Sequence, residues 1–147
     1  MDRRLPPGAA RTAPGGTPLI DWRSALAVAV GGAFGSVLRF VVATLVAQRF
    51  GPGFPIGTFA INLAGSFAIG LIAELAVTRA GFDPAVRTFL AVGVCGGFTT
   101  FSSFALETLN LIRDGSPGLA AGYALGSVTL GVAATIAGIA AARLAAP

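Results

Sequence analysis

Four long apolar stretches constrain this chain more than any other feature: residues 25–48, 57–78, 85–112 and 119–142 of 147. Each reaches the roughly 20 residues that a helix needs to cross about 30 Å of hydrocarbon. Alternation with a period of two is absent, so a β-barrel is not supported. The linkers are short and rich in breakers, with Gly51, Pro52, Gly53 and Pro55 in the first, Gly81 and Pro84 in the second, and Gly115 and Pro117 in the third. Charged residues make up 11% of the chain, against about 25% in a soluble domain. The fold class that follows is an all-α integral membrane protein with four transmembrane helices.

Composition then removes whole classes of function. The chain has one cysteine, Cys95, and no histidine. No disulfide framework exists, a zinc or redox-metal site lacks its usual His and Cys set, and the usual nucleophile–base pair of an enzyme cannot be assembled without His. The net charge of +4 rests on ten arginines scattered singly, which form no stripe for nucleic acid. Residues 1–22, rich in proline, glycine and arginine, are expected to form a disordered tail. That tail lacks the apolar h-region of a signal peptide. Residues 23–147 then form the membrane domain, with Trp22 placed as a headgroup-level anchor. Four spans put both termini on one side. Seven arginines lie there (Arg3, Arg4, Arg11, Arg23, Arg79, Arg87 and Arg143) against Arg49 and Arg113 opposite. The positive-inside rule favours cytoplasmic termini.

The chemistry concentrates in the third stretch. The twelve residues from Gly93 to Phe104 read GVCGGFTTFSSF, with three glycines and four hydroxyl residues. Such a composition makes poor continuous helix and predicts a break near the middle of the membrane. Backbone groups at a break must be satisfied by protein, water or an ion. The same residues also fit a glycine-rich packing face with back-bonded hydroxyls. Beyond the break, Phe101, Phe104 and Glu107 share one helical face next to Ser102 and Ser103. Ring edges are electropositive and offer weak contacts to an anion. Asn62 in the second span suits either a polar lining or an interhelical hydrogen bond. Arg39 in the first span should face a water-filled vestibule or snorkel outward. Tyr123 and Ser127, four residues apart on the fourth span, form a possible polar lining. Glu74 lies near a helix end and reads as interfacial. Gly31 and Gly35, and then Gly118, Gly122 and Gly126, have the spacing that lets helices approach closely.

These residues resemble the small fluoride channels of the Fluc or CrcB family. The matching motifs are Gly31-Gly32-Ala33-Phe34-Gly35 with Arg39, Gly57-Thr58 through Asn62 to Gly65-Ser66-Phe67, and Gly93 through Phe104 with Glu107. The resemblance covers all four spans in order, about residues 27–131. The resemblance implies an antiparallel, dual-topology homodimer in the inner plasma membrane that passively exports fluoride through two narrow pores. It also implies a central sodium ion, structural and not transported, on the backbone carbonyls of Gly96 and Thr99. It assigns the pore to Asn62, Phe101, Phe104, Ser102, Ser103, Glu107, Tyr123 and Ser127, with Arg39 in the vestibule. Ser103 stands where the family often has threonine, and Gly131 where some members carry a further serine. The competing reading is a proton-coupled exporter of the four-helix small multidrug type. Such a transporter needs an intramembrane carboxylate that titrates and binds a cation, and Glu107 is the candidate. That family, however, expects the acid in its first helix, where this chain has Arg39.

Overall fold

The computed structural model of the protein describes residues 21–51 and 53–145. Four helical stretches are long and apolar enough to cross a membrane: Trp22–Phe50, Ile56–Thr78, Pro84–Arg113 and Pro117–Leu144. The protein is therefore a multi-pass, all-helical membrane protein. The expected disordered tail lies outside the described residues up to position 20. Trp22, assigned to that tail, is instead the first residue of helix α1 (Trp22–Phe50). Apolarity does not set this start. Asp21 does, its carboxylate accepting from the amides of Arg23 and Ser24 at 3.3 Å each, as an N-cap should. The helix stops at Gly51, whose φ of 76° belongs to the left-handed region that glycine enters freely.

Helix α2 (Ile56–Thr78) follows, and the third span is composite. A short α3 (Pro84–Arg87), capped by Asp83, leads into a wide π-helical segment (Thr88–Cys95) and one further turn, α4 (Gly96–Phe98). Thr99 (ψ 158°) and Thr100 (φ −151°, ψ 115°) are extended. Helix α5 (Phe101–Arg113) then resumes. The axis bends by only 19° over the whole span, so the two extended residues form a step within one crossing. Helix α6 (Pro117–Leu144) is the fourth crossing.

Glycine decides which helices pair. A Cβ on Gly31 would lie 2.6 Å from the Phe89 carbonyl, and one on Gly35 would strike the Val94 carbonyl. Helix α1 thus lies backbone to backbone on the first half of the third span. Gly70 meets the Thr135 carbonyl and Gly138 the Phe67 carbonyl in the same manner, which closes α2 onto α6. Without a hydrophobic drive between helices in lipid, such close approach supplies the association. A Cβ on Gly118 or Gly122 would meet nothing within 4 Å and one on Gly126 only Phe59 Cε2 at 3.8 Å, so that stripe makes no close backbone approach among the described residues.

Few side chains are buried. The buried apolar residues are Ile61, Cys95, Leu111, Ala120, Tyr123 and Ala142, while Trp22, Phe34, Phe40 and many other large apolar residues lie exposed. Lipid acts as the solvent for that surface. Against this background two buried polar residues stand out, Thr58 and Thr100. Both belong to the candidate site.

Candidate functional site

The site is built around the extended step. Thr100 has lost its helical hydrogen bonds, and Asn62 on α2 replaces them. The Thr100 amide donates to Asn62 Oδ1 at 2.8 Å, and Asn62 Nδ2 donates to the Thr100 carbonyl at 3.1 Å. One side chain thereby satisfies both backbone groups of a residue that lipid could not. Thr100 also caps α5. Its Oγ1 accepts from the Ser103 amide at 3.2 Å and donates to Ser103 Oγ at 3.0 Å, with Ser102 Oγ 3.3 Å away. Thr99 turns its amide and its hydroxyl back onto the Cys95 carbonyl, both at 2.9 Å.

This arrangement has a consequence for the carbonyls. In a continuous helix the Gly96 oxygen would accept from the Thr100 amide, and the Thr99 oxygen from the Ser103 amide. Both amides are diverted, to Asn62 and to the Thr100 hydroxyl. The two oxygens are released from the helical pattern. Among the described residues no cluster of His, Cys, Asp and Glu of metal-holding size exists. Backbone oxygens are hard, uncharged ligands of the kind that suits a non-redox cation. Gly96 and Thr99 border a cavity of about 270 Å³ together with Asn62, Ser66, Cys95 and Phe101.

A second cluster lies further along α5. Thr58 Oγ1 donates to Glu107 Oε1 and the Tyr123 hydroxyl to Glu107 Oε2, each at 2.7 Å. Two hydrogen bonds of this length hold the carboxyl group in place. Aromatic rings surround it. Phe104 lies 5.2 Å from the Tyr123 ring and 5.5 Å from Phe101, and Phe54 meets Tyr123 edge-on at 5.4 Å. Phe101, Phe104 and Tyr123 thus form a row leading away from the extended step. Phe101 is 78% exposed on this chain.

The structure gathers most of the residues expected from the sequence into these two clusters. Arg39 borders a separate cavity of about 300 Å³ with Ser36, Thr58, Thr100 and Ser103. Its Nε is buried without a partner among the described residues. Ser127, expected beside Tyr123, borders none of these cavities, and its buried Oγ likewise has no partner among the described residues. Glu74, expected at the interface, accepts from Arg143 at 2.8 Å. Sequence reasoning left Thr58, Thr100 and Ser36 without roles. For Thr100 the signal was present, a threonine directly before a restarting helix, which is N-cap chemistry. Ser36 donates to the Gly97 carbonyl at 3.5 Å; nothing in its own neighbourhood marked it.

Known proteins resemble this chain over most of its length. Residues 26–139 match the family model described as CrcB-like protein, Camphor Resistance (CrcB). The chain is 50% identical over 120 residues to a protein of Nitrobacter winogradskyi named fluoride-specific ion channel FluC, covering 82% of this chain and 95% of that one. Similar proteins of the same name occur in Agrobacterium fabrum, 48% identical over 79% of this chain and 93% of the relative, and in Paracoccus denitrificans, 50% identical over 80% and 93%. With every span matched and a relative at half identity, the chain belongs to the CrcB family, a family of membrane channels and not of enzymes.

Proposed function

We propose that this protein is a fluoride channel of the inner plasma membrane that lets cytoplasmic fluoride leave passively. The observation that carries the reading is the step at Thr99 and Thr100, held by Asn62 and continued by the row of Phe101, Phe104 and Tyr123. Fluoride is small and strongly hydrated. To shed water it needs many weak, fixed positive ends, not one strong cation that would trap it. Hydroxyls of Ser102, Ser103 and Ser127, the second amide proton of Asn62, and the ring edges of Phe101 and Phe104 are contacts of that kind. The Tyr123 hydroxyl is engaged as a hydrogen-bond donor to Glu107, so its ring serves the path. Glu107, with both oxygens already accepting, positions Tyr123 and Thr58. That occupancy also weighs against the multidrug-exporter reading, which needs a carboxylate free to bind a cation. Arg39, with its buried unpaired nitrogen, draws anions toward the entrance.

The working form in this reading is an antiparallel homodimer inserted in both orientations. The exposed Phe101 and the open space over Gly96 face the second copy. A sodium ion, held by the released carbonyls of Gly96 and Thr99 from both copies, would supply a fixed positive charge that ties the two chains together. It would not be transported. A negative-inside membrane potential drives fluoride outward without further energy. The reading is tested in a bacterium whose own fluoride exporter has been deleted. Expression of this chain should restore growth on fluoride medium, and failure to restore growth while the protein is present in the membrane overturns the export role.

A further inference from the structure

Tyr123 is the single tyrosine of the chain, and three phenylalanines surround its ring. Phe104 on α5 lies 5.2 Å away and Phe59 on α2 6.3 Å. The third, Phe54, comes from the linker between α1 and α2 and not from a membrane helix. It meets Tyr123 edge-on at 5.4 Å, with the ring planes 81° apart, and lies 6.1 Å from Phe59. Edge-on pairs of this kind are favourable beyond the area they bury. The linker has few other holds among its described residues. A Cβ on Gly51 or Gly53 would meet nothing within 4 Å, whereas Phe54 packs against the buried cluster of Leu111, Ala120 and Tyr123.

The same stretch of linker borders two cavities that both reach Glu107. One, of about 280 Å³, is bordered by Ala43, Phe54, Pro55, Thr58 and Glu107; the other, of about 190 Å³, by Gly53, Pro55, Glu107, Asn110 and Asp114. Phe54 thus stands between the larger cavity and Tyr123, which is only 1% exposed. Without that ring the cavity would extend to Tyr123, the tyrosine ring would gain room to pivot, and water would compete for its bond to Glu107. We propose that Phe54 is a positioning residue of the ion path, a plug carried by the linker. It fixes the Tyr123 ring and, through the Tyr123 hydroxyl, the Glu107 carboxyl group. Tyr123 is then held at both ends, by Glu107 at its hydroxyl and by Phe54 at its ring. The proposal rests on the fluoride-channel reading and deepens it, because it makes the linker part of a path otherwise built from helices.

The test compares full-length parent, Phe54→Ala and Phe54→Leu, each first checked for the parent's elution in size-exclusion chromatography. Two quantities are read: fluoride flux from liposomes, and the NMR signal of protein labelled with carbon-13 on the tyrosine ring. With one tyrosine in the chain, that signal reports Tyr123 alone. Phe54→Ala should shift the signal and lower flux by about three- to tenfold, the worth of an aromatic pair. Phe54→Leu refills most of the space and should keep the signal near the parent's and the flux within about twofold of it. Should Phe54→Ala aggregate, Phe54→Val is read by the same criteria. A merely structural Phe54 would lower the melting temperature and leave the Tyr123 signal and the flux of the folded protein unchanged, and that result overturns the proposal. Phe54→Leu no better than Phe54→Ala overturns it as well. A parent that carries no fluoride overturns the channel reading instead, and the Tyr123 signal then decides by itself whether Phe54 positions the ring.

Discussion

Asn62 shows how one residue decides the site. A membrane asparagine is visible in any sequence, but its partner is 38 positions away. Only the fold brings them together. Its amide is polarised in the one way that suits Thr100, with oxygen toward the N–H and nitrogen toward the carbonyl. Asp keeps the shape and the acceptor, loses the donor, and sets a carboxylate oxygen against the Thr100 carbonyl. Asn62→Asp should therefore lower fluoride flux at least about tenfold and destabilise the protein by about 1–3 kcal/mol. Flux from a purified, monodisperse sample and its melting temperature in detergent check the two parts. A variant that conducts and melts like the parent would reduce Asn62 to a bystander. The Phe101 and Phe104 pair was legible from spacing alone. The bonds of Glu107 to Thr58 and Tyr123 were not, because three separate elements supply them.

At the scale of the elements, length and hydropathy located all four crossings, and polar caps then moved their ends. Asp21 and Asp83 start helices ahead of the apolar runs. The poor helix formers between Gly93 and Phe104 pointed to the extended residues Thr99 and Thr100. The π-helical segment Thr88–Cys95 left no trace in the sequence. Most of its residues are apolar and ordinary in a helix, and the wide turns form against the glycines of α1. That contact gives a sharp contrast between near neighbours. A methyl on Gly35 would strike the Val94 carbonyl and lie 2.9 Å from the Phe98 amide, both backbone atoms that cannot move aside. A methyl on Gly32 would have 4.0 Å to its nearest neighbour, the Gly93 carbonyl. Gly35→Ala should cost about 1–3 kcal/mol through overpacking, read as a lower melting temperature in detergent, whereas Gly32→Ala should melt with the parent. Equal melting of the two variants would contradict the packing described.

Taken whole, the molecule buries little and exposes much. Its largest fully buried side chains are Tyr123 and Ile61; Tyr123 belongs to the Glu107 cluster and Ile61 borders the Arg39 cavity. The rest of the apolar surface faces lipid or, in the proposed dimer, a second copy. The sequence made the membrane class legible because a low charge content and four apolar runs leave no other solvent for such a chain. In the proposed reading the ion path rests on a satisfied but non-helical step with the hydroxyls of Ser102 and Ser103 and the ring edges of Phe101 and Phe104 beside it. The most direct measurement of that claim is fluoride efflux from liposomes containing only this purified protein, with a potassium gradient and an ionophore to set the voltage. The account predicts rapid fluoride efflux that follows the imposed voltage, far exceeds that of empty liposomes and needs no proton gradient. Efflux no faster than from empty liposomes, or efflux that appears only when a proton gradient is applied, would contradict it.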